Sequence, residues 1–156
     1  MSLLDEILRH PADGCLLDRE GIMRLLPHRP PFLMLDRVTA IEPSLVVAEK
    51  EVTASEPCFE GHFPGSPVFP GALQIEAMAQ AMALAMLFAD ESFLGGRPVF
   101  MGVEKCRFRL PVVPDSLLTV RAELKRLRGS VGVCETEILL GGELASNAVL
   151  HAMMKP

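Results

Sequence analysis

Residues 71–89, GALQIEAMAQAMALAMLFA, constrain this chain more than any other segment. The stretch follows Pro70, contains no Pro and no Gly beyond its first position, and is built almost wholly from strong helix formers. It predicts one helix ending near Asp90, ahead of Gly95 and Gly96. A helix apolar on every side has to be surrounded. Its length invites a membrane-spanning reading, but Gln74, Glu76 and Gln80 interrupt it. The nine uninterrupted apolar residues from Ala81 to Ala89 fall well short of the ~18 that a span needs. The expectation is therefore a buried central helix and no membrane partner.

The rest of the chain must supply the shell. Residues 32–41 and 45–52 are rich in branched side chains and are separated by the turn signal Pro43-Ser44. Residues 99–110, 117–127, 131–140 and 144–153 read as further strands, the last two joined by Gly141-Gly142. Between Ser55 and Pro70 the density of Pro and Gly forbids a regular element. Leu3, Leu4, Ile7 and Leu8 recur at helical spacing before Pro11, and a second short helix ends at Pro27, giving a helical segment over about residues 1–26. One apolar helix with five or six strands predicts an α+β protein in which an antiparallel sheet wraps around the helix, the hot-dog fold. Other α+β packings fit the same pattern. The 156 residues suit a single domain, 1–156.

A net charge of -5 argues against a general nucleic-acid binder, so any anionic partner must meet a local basic patch. The 49% of apolar residues is a globular balance, but the mean hydropathy of +0.31 implies more apolar surface than one small domain usually hides, and an oligomer interface would absorb the excess. Cys15, Cys58, Cys106 and Cys134 are too scattered for a metal site or a secreted disulfide scaffold and are expected as reduced thiols. The first twenty residues hold Asp5, Glu6, Asp13 and Asp18 and no long apolar run, which does not read as a secretory signal. The expected location is the cytoplasm.

Chemistry concentrates around the central helix. Glu76 sits among Leu73, Ile75, Ala77, Met78 and Ala79, where an ionised carboxylate is expensive to bury. Burial there favours the protonated form, which a general acid requires, whereas a solvent- or interface-facing Glu76 is the bland alternative. His62 lies in Gly-His-Phe-Pro-Gly, a loop stiffened by Pro64, Gly65, Pro67, Pro70 and Gly71. An imidazole held in fixed geometry suits acid/base work, although a lone loop histidine is more often structural. Pro70-Gly71 opens the helix, so the N–H groups of Gly71 and Ala72 lack intrahelical acceptors and are available to a carbonyl gaining negative charge. Gly71 serves equally well as a simple helix entry.

Three blocks, LLPHRPPFLMLDRV, EGHFPGSPVFPGALQIEAMAQ and FMGVEKCRFRLPVVPDS, resemble the successive signature blocks of the bacterial 3-hydroxyacyl-acyl-carrier-protein dehydratases of type II fatty-acid synthesis, a hot-dog family. The likeness runs over roughly residues 25–153. It implies His62 and Glu76 as the catalytic pair and Gly71 as the thioester-binding donor, with Ala72 beside it. Gln80, one turn beyond Glu76, is implied as a residue that orients the carboxylate within the substrate site. The implied reaction converts a (3R)-3-hydroxyacyl chain, linked through phosphopantetheine to acyl carrier protein, into the trans-2-enoyl thioester, in fatty-acid or related lipid or polyketide synthesis. No metal or organic cofactor is implied. The resemblance also implies a homodimer whose sites each take His62 and Glu76 from different subunits, and leaves open whether three dimers assemble into a hexamer.

Two other functions remain: a hot-dog acyl thioesterase, which has no need of the His-Phe-Pro-Gly block, and a silent subunit that only binds acyl carrier protein, which has no need of both His62 and Glu76. The related dehydratase/isomerase subfamily carries Asp at the Glu76 position, so isomerisation is not expected. Lys105, Arg107 and Arg109 alternate with Cys106 and Phe108 and would share one strand face, a candidate docking patch with Lys125, Arg126 and Arg128 or else plain solvated surface. His28 is expected to be structural. Met78, Met82 and Met86 read as adaptable core that also suits the lining of an acyl tunnel.

Overall fold

A computed structural model describes residues 1–156. Two short helices, α1 (Leu3–Arg9) and α2 (Arg19–Leu25), precede strands β1 (Arg37–Ile41) and β2 (Leu45–Val52). After a 3-10 turn at Pro57–Glu60 comes the long helix α3 (Gly71–Ala89), then β3 (Arg97–Phe108), β4 (Ser116–Arg128), β5 (Val131–Leu140) and β6 (Glu143–Lys155). The six strands form one antiparallel sheet in the order β1-β2-β4-β5-β6-β3. The sheet wraps α3, as a hot-dog fold does.

The wrapping explains a helix that is long and apolar enough to cross a membrane. From Ala81 to Leu87 every residue of α3 is buried, and the helix packs against β4, β2, β5 and β6. Close approach is set by small residues: at Gly132 on β5, a Cβ would come within 2.8 Å of the Met86 sulfur. β2 alternates as a strand with one wet face should, with Val46, Ala48, Lys50 and Val52 inward.

Two sequence expectations shift. Residues 32–36 are not part of β1. Leu33, Met34 and Leu35 are buried, but the Met34 N–H donates to the Gln80 side chain (2.8 Å) instead of to a neighbouring strand. The second shift concerns β3, which carries two bulges against β6, one between Phe100 and Gly102 and one between Glu104 and Arg107. At the second bulge Lys105 takes a left-handed backbone (φ 51), and the simple alternation of strand faces is broken there. Lys105, Arg107 and Arg109 therefore do not share one face. Lys105 lines a polar hollow with Arg121, Glu123 and Glu135, whereas Arg109, beyond the end of β3, lines the cleft that holds His62.

β3 is also an open edge. Phe100, Met101, Val103 and Phe108 along it are 46%, 53%, 38% and 50% exposed, more apolar surface than an edge facing water usually shows.

Candidate active site

His62 is held from both sides of its loop. Its backbone N–H donates to the Cys58 carbonyl (3.0 Å), its own carbonyl accepts from the Val68 N–H (3.1 Å), and a turn between Phe63 and Ser66 closes around Gly65 at φ 73. The imidazole Nδ1 lies 2.7 Å from the Val68 carbonyl oxygen. A carbonyl only accepts, so Nδ1 must carry the proton and Nε2 is left with its lone pair free. The Phe63 ring stacks on the imidazole at 4.0 Å. The tautomer and the plane of the ring are thus both fixed, as a general base requires.

His62 opens into a cleft of about 400 Å3 whose lining includes Gly71, Gln74, Phe108, Arg109 and Leu110. α3 begins at this cleft with no side-chain cap, so the Gly71 N–H is a free donor at the positive end of the helix. A Cβ at position 71 would come within 2.7 Å of the Phe108 ring, which explains the glycine. Ala72 is exposed and does not line the cleft. Gln74 is buried and immobilised, its amide accepting from the Ser146 hydroxyl (2.7 Å).

Glu76 points elsewhere. Five residues along a helix correspond to about 500° of rotation, which sets Glu76 some 140° around α3 from Gly71. Its carboxyl borders a small hollow of about 50 Å3 together with His28, Ala79, Pro98, Phe100 and Ala152. None of these residues lines the His62 cleft. The side chain is 25% exposed in the single chain, less buried than its apolar neighbours in sequence suggest, because it projects toward the open β3 edge.

Gln80 fixes that carboxyl from within the core. It is fully buried; its Nε2 donates to Glu76 Oε1 (2.8 Å) and to the Phe32 carbonyl (2.9 Å), while its Oε1 accepts the Met34 N–H. With all of its polar atoms engaged, it acts on Glu76 and is sealed off from any ligand.

His28 sits closer to the chemistry than its sequence context indicated. Its Nε2 is 3.5 Å from Glu76 Oε1, and its Nδ1 is buried without a partner. Burial pushes its pKa below the ordinary histidine range, against the opposing pull of Glu76 and with a small further push from Arg29. The ring is therefore neutral at pH 7. A second residue that the sequence reading passed over is Lys50, the one charged member of the inward row of β2. Its signal was visible in the alternation of that strand.

A family model described as a FabA-like domain matches residues 26–149. A 3-hydroxyacyl-[acyl-carrier-protein] dehydratase FabZ of Symbiobacterium thermophilum is 46% identical over 82% of this chain and 90% of that protein. A FabZ of Clostridium perfringens is 47% identical over 88% and 99%. Among solved structures, the dehydratase heterocomplex ApeI:P of Xenorhabdus doucetiae superposes with a TM-score of 0.74 at 21% identity, covering 86% of this chain and 91% of that one. A hypothetical thioesterase with coenzyme A from Streptococcus pneumoniae reaches 0.60 at 13% identity, over 76% and 84%. At those identities the two structures speak for the fold alone, whereas the family model and the FabZ relatives each span most of the chain. This chain belongs to the FabA-like family.

Proposed function

We infer that this chain is a 3-hydroxyacyl-acyl-carrier-protein dehydratase acting as a single hot-dog domain, and that His62 is its base. The observation that carries the assignment of the base is the bond from Nδ1 to the Val68 carbonyl, which leaves Nε2 bare in the cleft that Gly71 also lines. In this reading the thioester carbonyl accepts from Gly71 N–H, which stabilises the charge that builds on oxygen as Nε2 removes the proton on C2. The electron pair of that C–H bond forms the C2–C3 double bond, and the C3–O bond breaks. Glu76, protonated, delivers its proton to the departing hydroxyl, and water leaves.

The pair comes from two subunits. One chain opens His62 and Glu76 into separate hollows, but both hollows border β3: Phe108 and Arg109 lie at the His62 cleft, Pro98 and Phe100 at the Glu76 hollow. If the open edge pairs with its twofold mate antiparallel about the strand midpoint, Arg97 comes opposite the partner's Phe108, at the other end of the strand. That pairing sets the His62 cleft of one subunit against the Glu76 hollow of the other and covers the exposed Phe100, Met101 and Val103. Arg109, an exposed residue that lines the cleft, is the cation available to meet the phosphopantetheine phosphate or acidic groups of the carrier protein. All four cysteines are unpaired, as a reducing compartment keeps them, which fits a cytoplasmic enzyme.

The test is to give the purified protein 3-hydroxyacyl-carrier substrates of graded length and follow loss of water by mass. His62→Ala should abolish that loss while the protein stays folded. Release of free thiol instead of an enoyl product would mean a thioesterase, and near-native turnover in His62→Ala would remove the base assignment.

A further inference from the structure

Lys50 occupies a position that its neighbours fill with Val46, Ala48 and Val52, and its side chain is only 4% exposed. Buried lysines are rare, and an ion pair in such a place seldom makes a fold more stable than apolar residues of the same size would. What a buried pair adds over a methionine is direction. Here the direction is toward the His62 loop, at both of its ends.

The ammonium lies 2.9 Å from Glu56 Oε1, at the residue that opens the 3-10 turn Pro57–Glu60. The turn in turn delivers the Cys58 carbonyl to the His62 N–H. The same ammonium sits 5.4 Å from the centre of the Phe69 ring, a cation–π contact with the residue next to Val68. Val68 carries the carbonyl that fixes the imidazole. Phe69 is itself fully buried, edge-on to Phe59 and hydrogen-bonded from its N–H to the Val112 carbonyl (2.7 Å). One cation on a rigid strand therefore grips the limb that sets the His62 backbone and the limb that sets its ring.

We propose that Lys50, through Glu56 and Phe69, is a positioning residue for the base. The proposal rests on His62 being that base. It makes the pair an element of catalytic geometry, dispensable to the fold.

The experiment replaces the pair together, Lys50→Met with Glu56→Gln, so that neither charge is left buried alone, and runs His62→Ala in parallel. The double variant should melt no lower than wild type, keep KM within about twofold and lose kcat by about tenfold or more, because small misplacements of a base are costly. The His62 Nδ1 proton, which its bond to the Val68 carbonyl should make slow to exchange and downfield in the wild-type NMR spectrum, should weaken or shift. A double variant with wild-type kcat and an unchanged proton signal would overturn the proposal. So would one that fails to fold, since the pair would then be holding the structure itself. Full activity in His62→Ala is a separate result that would remove the underlying base assignment whatever the pair variant does.

Discussion

Two inactive variants, His62→Ala and Glu76→Gln, should restore each other when their chains are mixed. Each substitution should leave the fold intact. The His62 loop keeps its backbone bonds to Cys58 and Val68, so loss of the imidazole removes one hydrogen bond, worth about 1 kcal/mol. Glutamine at 76 retains an oxygen for the Gln80 amide. If equal amounts are unfolded in urea, mixed and refolded, random pairing gives about half heterodimers. Each heterodimer has one site with both groups intact, built from the His62 of the Glu76→Gln chain and the Glu76 of the His62→Ala chain; its other site lacks both. The mixture should therefore recover about a quarter of wild-type activity. At a mixing ratio of one to three, recovery should fall to about a fifth, and the dependence on composition should be symmetric. The assay is dehydration of an acyl-carrier substrate, with native mass spectrometry to count heterodimers. A mixture as inactive as its parents, with heterodimers present, would refute the shared site and require both groups to come from one chain.

Gly71→Ala should lower kcat by about 10- to 100-fold with little change in melting temperature, because the new methyl must displace the Phe108 ring beside the proposed thioester donor; steady-state kinetics with wild-type values would place the carbonyl elsewhere. Gln80→Leu strips the partner from the Met34 N–H and should destabilise by about 2 kcal/mol or more in urea unfolding, with a slower kcat as Glu76 loses its tether; a stability loss without a rate loss would remove the tether role. His28 is held below its unfolded pKa, so the unfolded chain binds the extra proton first and stability should fall as pH drops below about 6.5. In His28→Gln, the decline of the urea midpoint between pH 7.5 and 5 should be shallower; an equal decline would mean that other groups carry it. Arg109→Ala should raise KM for carrier-bound substrate and spare a small thioester analogue, while Lys105→Ala, in a different hollow, should change neither.

The sequence made the centre of this molecule legible and its rims less so. α3 starts and ends where Pro70 and the following break predict, and β2 and β5 fall on their expected residues, because local composition and tertiary need agree there. Residues 32–36 have the composition of a strand, but the Gln80 side chain satisfies part of their backbone, a partner 46 positions away that no local pattern reveals. The bulge at Lys105 is equally silent: nothing in Lys-Cys-Arg-Phe-Arg distinguishes it from a regular alternation. At the site, the sequence surroundings of His62, Gly71 and Glu76 mark all three as candidates. That one chain sends the histidine and the glutamate to different hollows depends on the rotation of a helix, which the sequence does encode once the helix is trusted. Lys50 was the reverse case, a charge in a visibly apolar row that needed the loop beneath it to acquire meaning.

The bulges of β3 bear on which strands can join its open edge. Against β6 the strand keeps a constant register for at most four residues, Arg97–Phe100, before the first interruption. A straight strand from an unrelated protein that begins to pair there loses step almost at once, so the most apolar edge of the molecule is a poor template for sticking to strangers or for stacking into fibrils. A second copy is different: a twofold axis at the strand midpoint sets the first bulge of each strand against the start of its mate's second bulge, so that both strands bend together. In the proposed dimer the irregularity works as a lock cut for a single key, admitting the chain's own twin and leaving other strands outside.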